Sequence, residues 1–171
     1  MLAENNTTNL SSSLVTSSNS PVPIDRNQTP ETYLGTERVQ TYIGSPSLGS
    51  QPDQTYSYAS HLDNSSWSLT GEWNVTSSSI TAVNDSKLRI NFAAKNVYLV
   101  GGSPNPNSVG VSFNNKPISD ISAAGADVTN SQLAIGISNL YRVASFKEFT
   151  TGIIELSVPS GVTLNTFTFG N

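Results

Sequence analysis

The run Lys87-Leu88-Arg89-Ile90-Asn91-Phe92 sets an apolar side chain at every second position, and that spacing leaves the chain few ways to fold. A period of two puts Leu88, Ile90 and Phe92 on one face of a β-strand and Arg89 and Asn91 on the other, so one face is buried and one is wet. The same alternation recurs at Trp67, Leu69, Gly71 and Trp73, and again at Val109, Val111 and Phe113. Further short apolar runs lie at Tyr56, at Val97–Val100, at Leu133/Ile135, over Tyr141–Phe146, over Ile153–Val158 and over Val162–Phe169. Turn residues separate them: Gly101-Gly102, Ser103-Pro104-Asn105-Pro106-Asn107, the hairpin-type pair Asn114-Asn115, and Gly152, Pro159 and Gly161. No sustained helical period appears in this region. About nine or ten short strands at such spacing predict an all-β fold, a jelly-roll-like β-sandwich. Val97–Val100, apolar without a break, reads as a strand buried on both sides.

Residues 1–28 differ in character. Leu2, Leu10, Leu14 and Val15 keep no period, and the Ser, Asn and Thr around them cannot offset the entropy of ordering by burial. They are expected to form a disordered, flexible linker. Residues 29–55 are expected to form a docking segment and loop, with Thr29 capping a single helical turn that starts at Pro30 and Glu31. Tyr33, Leu34, Val39, Tyr42 and Ile43 would dock that segment on the body. The sandwich proper is expected over 56–171.

Composition narrows the function. The chain carries 8 Lys and Arg against 12 Asp and Glu, a net charge of −4, and its cations are scattered. Such a surface does not neutralise a row of phosphates, so nucleic acid is not an expected partner. There is no cysteine, which removes disulfides, thiolate metal sites and thiol redox chemistry from this chain. No apolar run reaches the ~20 residues that span a bilayer as a helix, and the first residues lack the pattern of a signal peptide. Export would therefore be directed from a segment upstream.

The chemical signals are sparse. His61 is the only histidine, with neither a Gly-x-Ser-x-Gly elbow nor a metal motif to accompany it, and it reads as a loop residue. Glu72, Asp127, Glu148 and Glu155 supply carboxylates that a glycosidase would need in a facing pair, but solvated strand-face charges are the default reading for them. Asp53, Asp63, Asp85, Asp120 and Asp127 fall in expected loops, where aspartates form turns and where a structural calcium ion would find ligands. None has the dense spacing of a calcium loop, so the metal question stays open. Of the aromatics Tyr56, Tyr58, Trp67, Trp73, Tyr98 and Tyr141, the two tryptophans share a face with Leu69 and read as core. Tyr56 and Tyr98 are the better candidates for an exposed ligand-binding ring. Asn-x-Ser/Thr sequons at Asn27, Asn64, Asn74 and Asn84 are what chance gives in such a chain. No catalytic or cofactor-binding residue is expected.

The segment Thr29-Pro30-Glu31-Thr32-Tyr33-Leu34-Gly35 with Arg38 resembles the opening of the C-terminal domain of DipZ-type proteins. Leu69-x-Gly71-x-Trp73, the run 87–100, Gly125-x-Asp127-Val128, Leu140-Tyr141-Arg142 and the closing Phe167-Thr168-Phe169-Gly170 agree in the same order. The resemblance covers nearly everything after residue 28. It implies a jelly roll similar to a carbohydrate-binding module, partnered by an extracytoplasmic thioredoxin-like domain and a CcdA-like membrane part of the same or a neighbouring polypeptide, involved in cytochrome c biogenesis. Redox catalysis would then lie in the thioredoxin-like domain through its Cys-x-x-Cys pair, and this chain would be a non-enzymatic accessory domain. Glycan of the cell envelope is the alternative partner.

Overall fold

A computed structural model describes residues 27–171, and the linker expected over 1–28 lies almost wholly outside them. The described residues form an all-β sandwich. Its strands are β1 (Thr32–Tyr33), β2 (Gly44–Ser45), β3 (Gln54–Tyr58), β4 (Trp67–Val75), β5 (Ile80–Ala82), β6 (Ser86–Gly102), β7 (Asn107–Phe113), β8 (Lys116–Pro117), β9 (Val128–Thr129), β10 (Gln132–Ile135), β11 (Asn139–Val158) and β12 (Thr163–Gly170). Two short 3-10 turns, Thr36–Arg38 and Ile118–Ile121, are the only helical pieces among the described residues.

Two long bent strands belong to both layers. The first half of β6 pairs with β4 on one side, as Leu69↔Leu88, and with the second half of β11 on the other, as Glu155↔Arg89. That β11 half continues the front layer to β7, and β7 continues it to β10 and β9. The second half of β6 pairs with β12, as Phe167↔Leu99, and with the first half of β11, as Leu140↔Val100. With β5 these form the back layer. The crossing is written in the buried positions. Leu88, Ile90, Phe92 and Ala94 are inward at even numbers, and Val97 and Leu99 at odd ones. The phase slips at Lys95-Asn96, opposite the point where β11 loops out Phe146–Phe149 between Ser145 and Thr150. A bulge of this kind bends a strand and re-aims its side chains.

The expected alternating runs are where they were placed, with differences of detail. Trp67, Leu69 and Trp73 are fully buried, as their shared face with Leu69 required. Asn114 and Asn115 have φ of 46° and 65°, the left-handed pair of a tight hairpin turn between β7 and β8. Runs 87–92 and 97–100 are one strand of 17 residues, and 141–146 and 153–158 are one of 20. Val97–Val100 is not buried on both sides: Val97 and Leu99 point inward, while Tyr98 and Val100 are half-buried on the outer face.

The docking segment also differs from expectation. Thr29 does not cap a turn. Its N–H donates to the Ala93 carbonyl at 2.9 Å and its Oγ1 accepts the Ala93 N–H at 2.8 Å. Ala93 lies where β6 has passed β4 and has not yet met β12, so its backbone groups lack a ladder partner on that edge. Thr29 fills the gap, which is why it is buried. The helical turn comes later, at Thr36–Arg38, after β1 has added Thr32 and Tyr33 to the edge of β12. Leu34 is fully buried, and Val39 and Tyr42 pack against the core from outside.

Gly71 sits where β4 leaves β6 for β5. Its φ is +92°, and an added Cβ would lie 2.4 Å from Ser86 Oγ and 2.8 Å from Ser86 Cβ. Ser86 Oγ accepts the Glu72 N–H at 3.0 Å and donates to the Glu72 carbonyl at 3.1 Å, replacing the ladder bonds that the kink removes.

Candidate functional site

The front layer carries the most developed polar surface. Lys87, Arg89 and Asn91 project outward from β6 between the buried Leu88, Ile90 and Phe92. Register sets Ser157 opposite Lys87, Glu155 opposite Arg89 and Ile153 opposite Asn91. On the far side of β11, Ser112 and Gly110 of β7 stand beside Glu155 and Ser157, and Gln132 of β10 stands beside Gly110.

Glu155 is the centre of this face. Arg89 Nε donates to its Oε2 at 2.6 Å, and Lys87 Nζ lies 3.4 Å from Oε1. Tyr58, at the end of β3, donates its hydroxyl to Oε2 at 3.3 Å and lays its ring 4.3 Å from the Arg89 guanidinium. The guanidinium is thus fixed by a carboxylate in its plane and an aromatic ring on its face. Burial pushes the Glu155 carboxyl upward, but the hydrogen bond and charge of Arg89, with help from Lys87, outweigh it and hold the pKa below the ordinary value. Burial, followed by the Glu155 charge, pushes the Tyr58 phenol well above its usual value. At neutral pH the cluster is a fixed, charged platform.

Hollows open on both sides of it. One of about 270 Å³ is lined by Tyr58, His61, Leu62, Ser68, Arg89, Asn91 and Ile153. On the other side, one of about 400 Å³ includes Asp85, Lys87, Gly110, Gln132 and Ser157. It shares Gly110, Gln132 and Ser157 with a third of about 510 Å³ that reaches Asn115, Ser119 and Asp120. The three lie along one face over β4, β6, β11, β7 and β10, as a trough interrupted at the Arg89–Glu155 pair and lined mainly by hydroxyl and amide groups.

Neither of the two aromatic candidates joins this trough. Tyr56 is 1% exposed and belongs to the core, so it is no ligand platform. The segment after β1 covers it, with Tyr42 edge-on at 6.2 Å. Tyr98 is half-buried on the outer side of the back layer, beside Gly170, where an added Cβ would touch the ring at 3.4 Å. The ring that does face the trough is Tyr58. It shares its strand face with Tyr56, so parity alone could not separate them. A signal was present nonetheless: Tyr58 ends its run and is followed by Ala-Ser, where no covering segment is due.

The other candidates are dispersed. His61 is exposed and 3.2 Å from Asp63. Glu72 accepts a hydrogen bond from Asn84 Nδ2, while Asp127 Oδ2 accepts the Arg142 N–H at 2.7 Å and so ties the Gly125–Val128 turn to β11. Glu148 lies in the looped-out part of β11. These carboxylates stand on separate elements, and no two of them share a hydrogen-bond partner. The aspartates likewise occupy separate turns, and among the described residues no group of three or more His, Cys, Asp or Glu side chains is placed to hold a metal ion.

The fold and this face define a class: a cysteine-free all-β sandwich whose front layer carries a polar, shallow surface. The family follows from a comparison of the chain with known families. Residues 29–170 match the model of the thioredoxin-like C-terminal domain, and the chain belongs to that family. The match begins at Thr29, the residue that bonds to Ala93 of β6, and it makes this chain an accessory domain of a thioredoxin-like protein. No curated protein matches the chain.

Proposed function

We propose that this sandwich is a non-catalytic docking domain of an extracytoplasmic, DipZ-type thiol–disulfide oxidoreductase. Its partners are the thioredoxin-like domain and, through it, a CcdA-like membrane part. The observation that carries this reading is the family match over 29–170 in a chain that has no cysteine with which to do the chemistry itself. Disulfide exchange needs a thiolate nucleophile, so the sandwich contributes position and the neighbouring domain contributes reaction. Crosslinking mass spectrometry on the full parent polypeptide tests it. The expected result is a reproducible set of crosslinks between the sandwich and the thioredoxin-like domain. Their absence overturns the docking role, and reduction of a disulfide substrate by the isolated chain overturns the non-catalytic one.

A second reading has one observation in its favour. The trough offers the Tyr58 ring and a row of hydroxyl, amide and guanidinium groups, the surface chemistry that suits a sugar chain. Retention on cell-envelope polysaccharide, lost in Tyr58→Ala, supports it. No retention with or without added calcium overturns it.

A further inference from the structure

The end of the sandwich formed by the β6–β7 and β10–β11 loops presents Ile137 to solvent at 83% exposure, with Leu140, three residues on, at 47%. The loop that carries Ile137 is held firmly. The Tyr141 hydroxyl accepts the Gly136 N–H at 3.0 Å and donates to the Ile137 carbonyl at 2.7 Å, bridging the residue from both sides. The Gly136 carbonyl accepts the Ser103 N–H at 2.6 Å. Ser138 packs so closely on β6 that a Cβ on Gly102 would lie 2.9 Å from its backbone. The backbone beneath an outward apolar side chain is thus preorganised, so seating that side chain orders only its own rotamers.

The surroundings restrict the partner. Residues 101–115 and 128–141 contain no Asp, Glu, Lys, Arg or His, so the two loops of the tip bring no charge of their own. The charged side chains in the hollow beside Ser108, Asp85 and Lys87, are of opposite sign and give no net field to hold an anionic surface. Ile137 and Leu140, with the half-buried Val100 opposite Leu140, cover far less than the roughly 1,000 Å² of a stable free interface. A diffusing protein or a second copy is therefore not held by this tip. A domain joined to the same polypeptide is, because tethering supplies effective concentrations on the order of millimolar.

We propose that Ile137 and Leu140 form an anchor that seats in an apolar depression on the thioredoxin-like domain of the parent polypeptide. This rests on the docking reading above and supplies its contact surface. The test places a photocrosslinking residue at 137 in the full parent polypeptide, and separately at Ser157 on the front face. Capture of the thioredoxin-like domain from 137, reduced at least tenfold by Leu140→Asp, is the expected result. The isolated chain and the separate thioredoxin-like domain should show no complex at 100 µM, on the order of a tenth of the tethered concentration. Capture from 157 but not from 137 overturns the anchor and leaves docking standing. Capture from neither position overturns both, and capture of a second copy or of lipid from 137 overturns the choice of partner. Both side chains are exposed, so these substitutions leave the sandwich folded.

Discussion

Gly71→Ala should be among the most destabilising one-methyl changes in the domain, and Gly161→Ala shows why. The two glycines have nearly the same φ, +92° and +89°, the first within β4 and the second in the turn before β12. A Cβ at 161 meets nothing within 4 Å, whereas at 71 it meets Ser86 Oγ at 2.4 Å and Ser86 Cβ at 2.8 Å. Gly161→Ala therefore measures the backbone term alone, about 1–2 kcal/mol. Gly71→Ala adds displacement of Ser86 and loss of its two bonds to Glu72, each worth about 1 kcal/mol, for a total of about 3–5 kcal/mol. Urea denaturation followed by tryptophan fluorescence reads both, since Trp67 and Trp73 are buried on the same strand. With a slope of about 1–3 kcal/mol per molar, the Gly71 midpoint should fall roughly 1–2 M further than the Gly161 midpoint. Ser86→Gly in the Gly71→Ala background should recover part of the loss, because it removes the atoms the methyl meets. Equal midpoints for the two alanine variants, or no coupling between positions 71 and 86, would refute the argument.

Trp73→Ala empties a fully buried site and removes a donor to the Thr70 carbonyl, so it should cost about 3–5 kcal/mol in the same assay; an unchanged midpoint contradicts the core assignment. Glu155→Gln should cost about 1–2 kcal/mol at pH 7, a figure kept small because Lys87 and Arg89 are partly exposed. The folded-state pKa of Glu155 lies below its unfolded value, so its contribution is complete above the unfolded pKa and disappears as pH falls through the folded one. The gap between wild type and Glu155→Gln should accordingly close on acidification, and a gap independent of pH would sink the ion-pair account.

Faces were legible in the sequence wherever an alternating run had a single phase. Leu88, Ile90 and Phe92, or Trp67, Leu69 and Trp73, assign themselves because one slip would expose the whole set. The turn at Asn114-Asn115 was equally plain. Continuity was harder to read: the slip from Ala94 to Val97 looks like a break between strands, yet it is a bend within one. Tyr56 and Tyr58 share a parity, and only the segment folded over Tyr56 separates core from surface. Thr29 carries a helix-capping signature, but an unpaired stretch of β6 competes for its bonding groups and wins. The Arg89–Glu155 pair joins strands 66 residues apart, so nothing local announces it. Ile137 is an apolar residue in a short loop, and its isolation appears only once Tyr141 is seen to hold the backbone beneath it.

The Gln28 side chain donates to the Phe169 carbonyl, so both ends of the folded body meet at one spot. A pull between those ends would peel a few bonds locally instead of shearing the layers past each other.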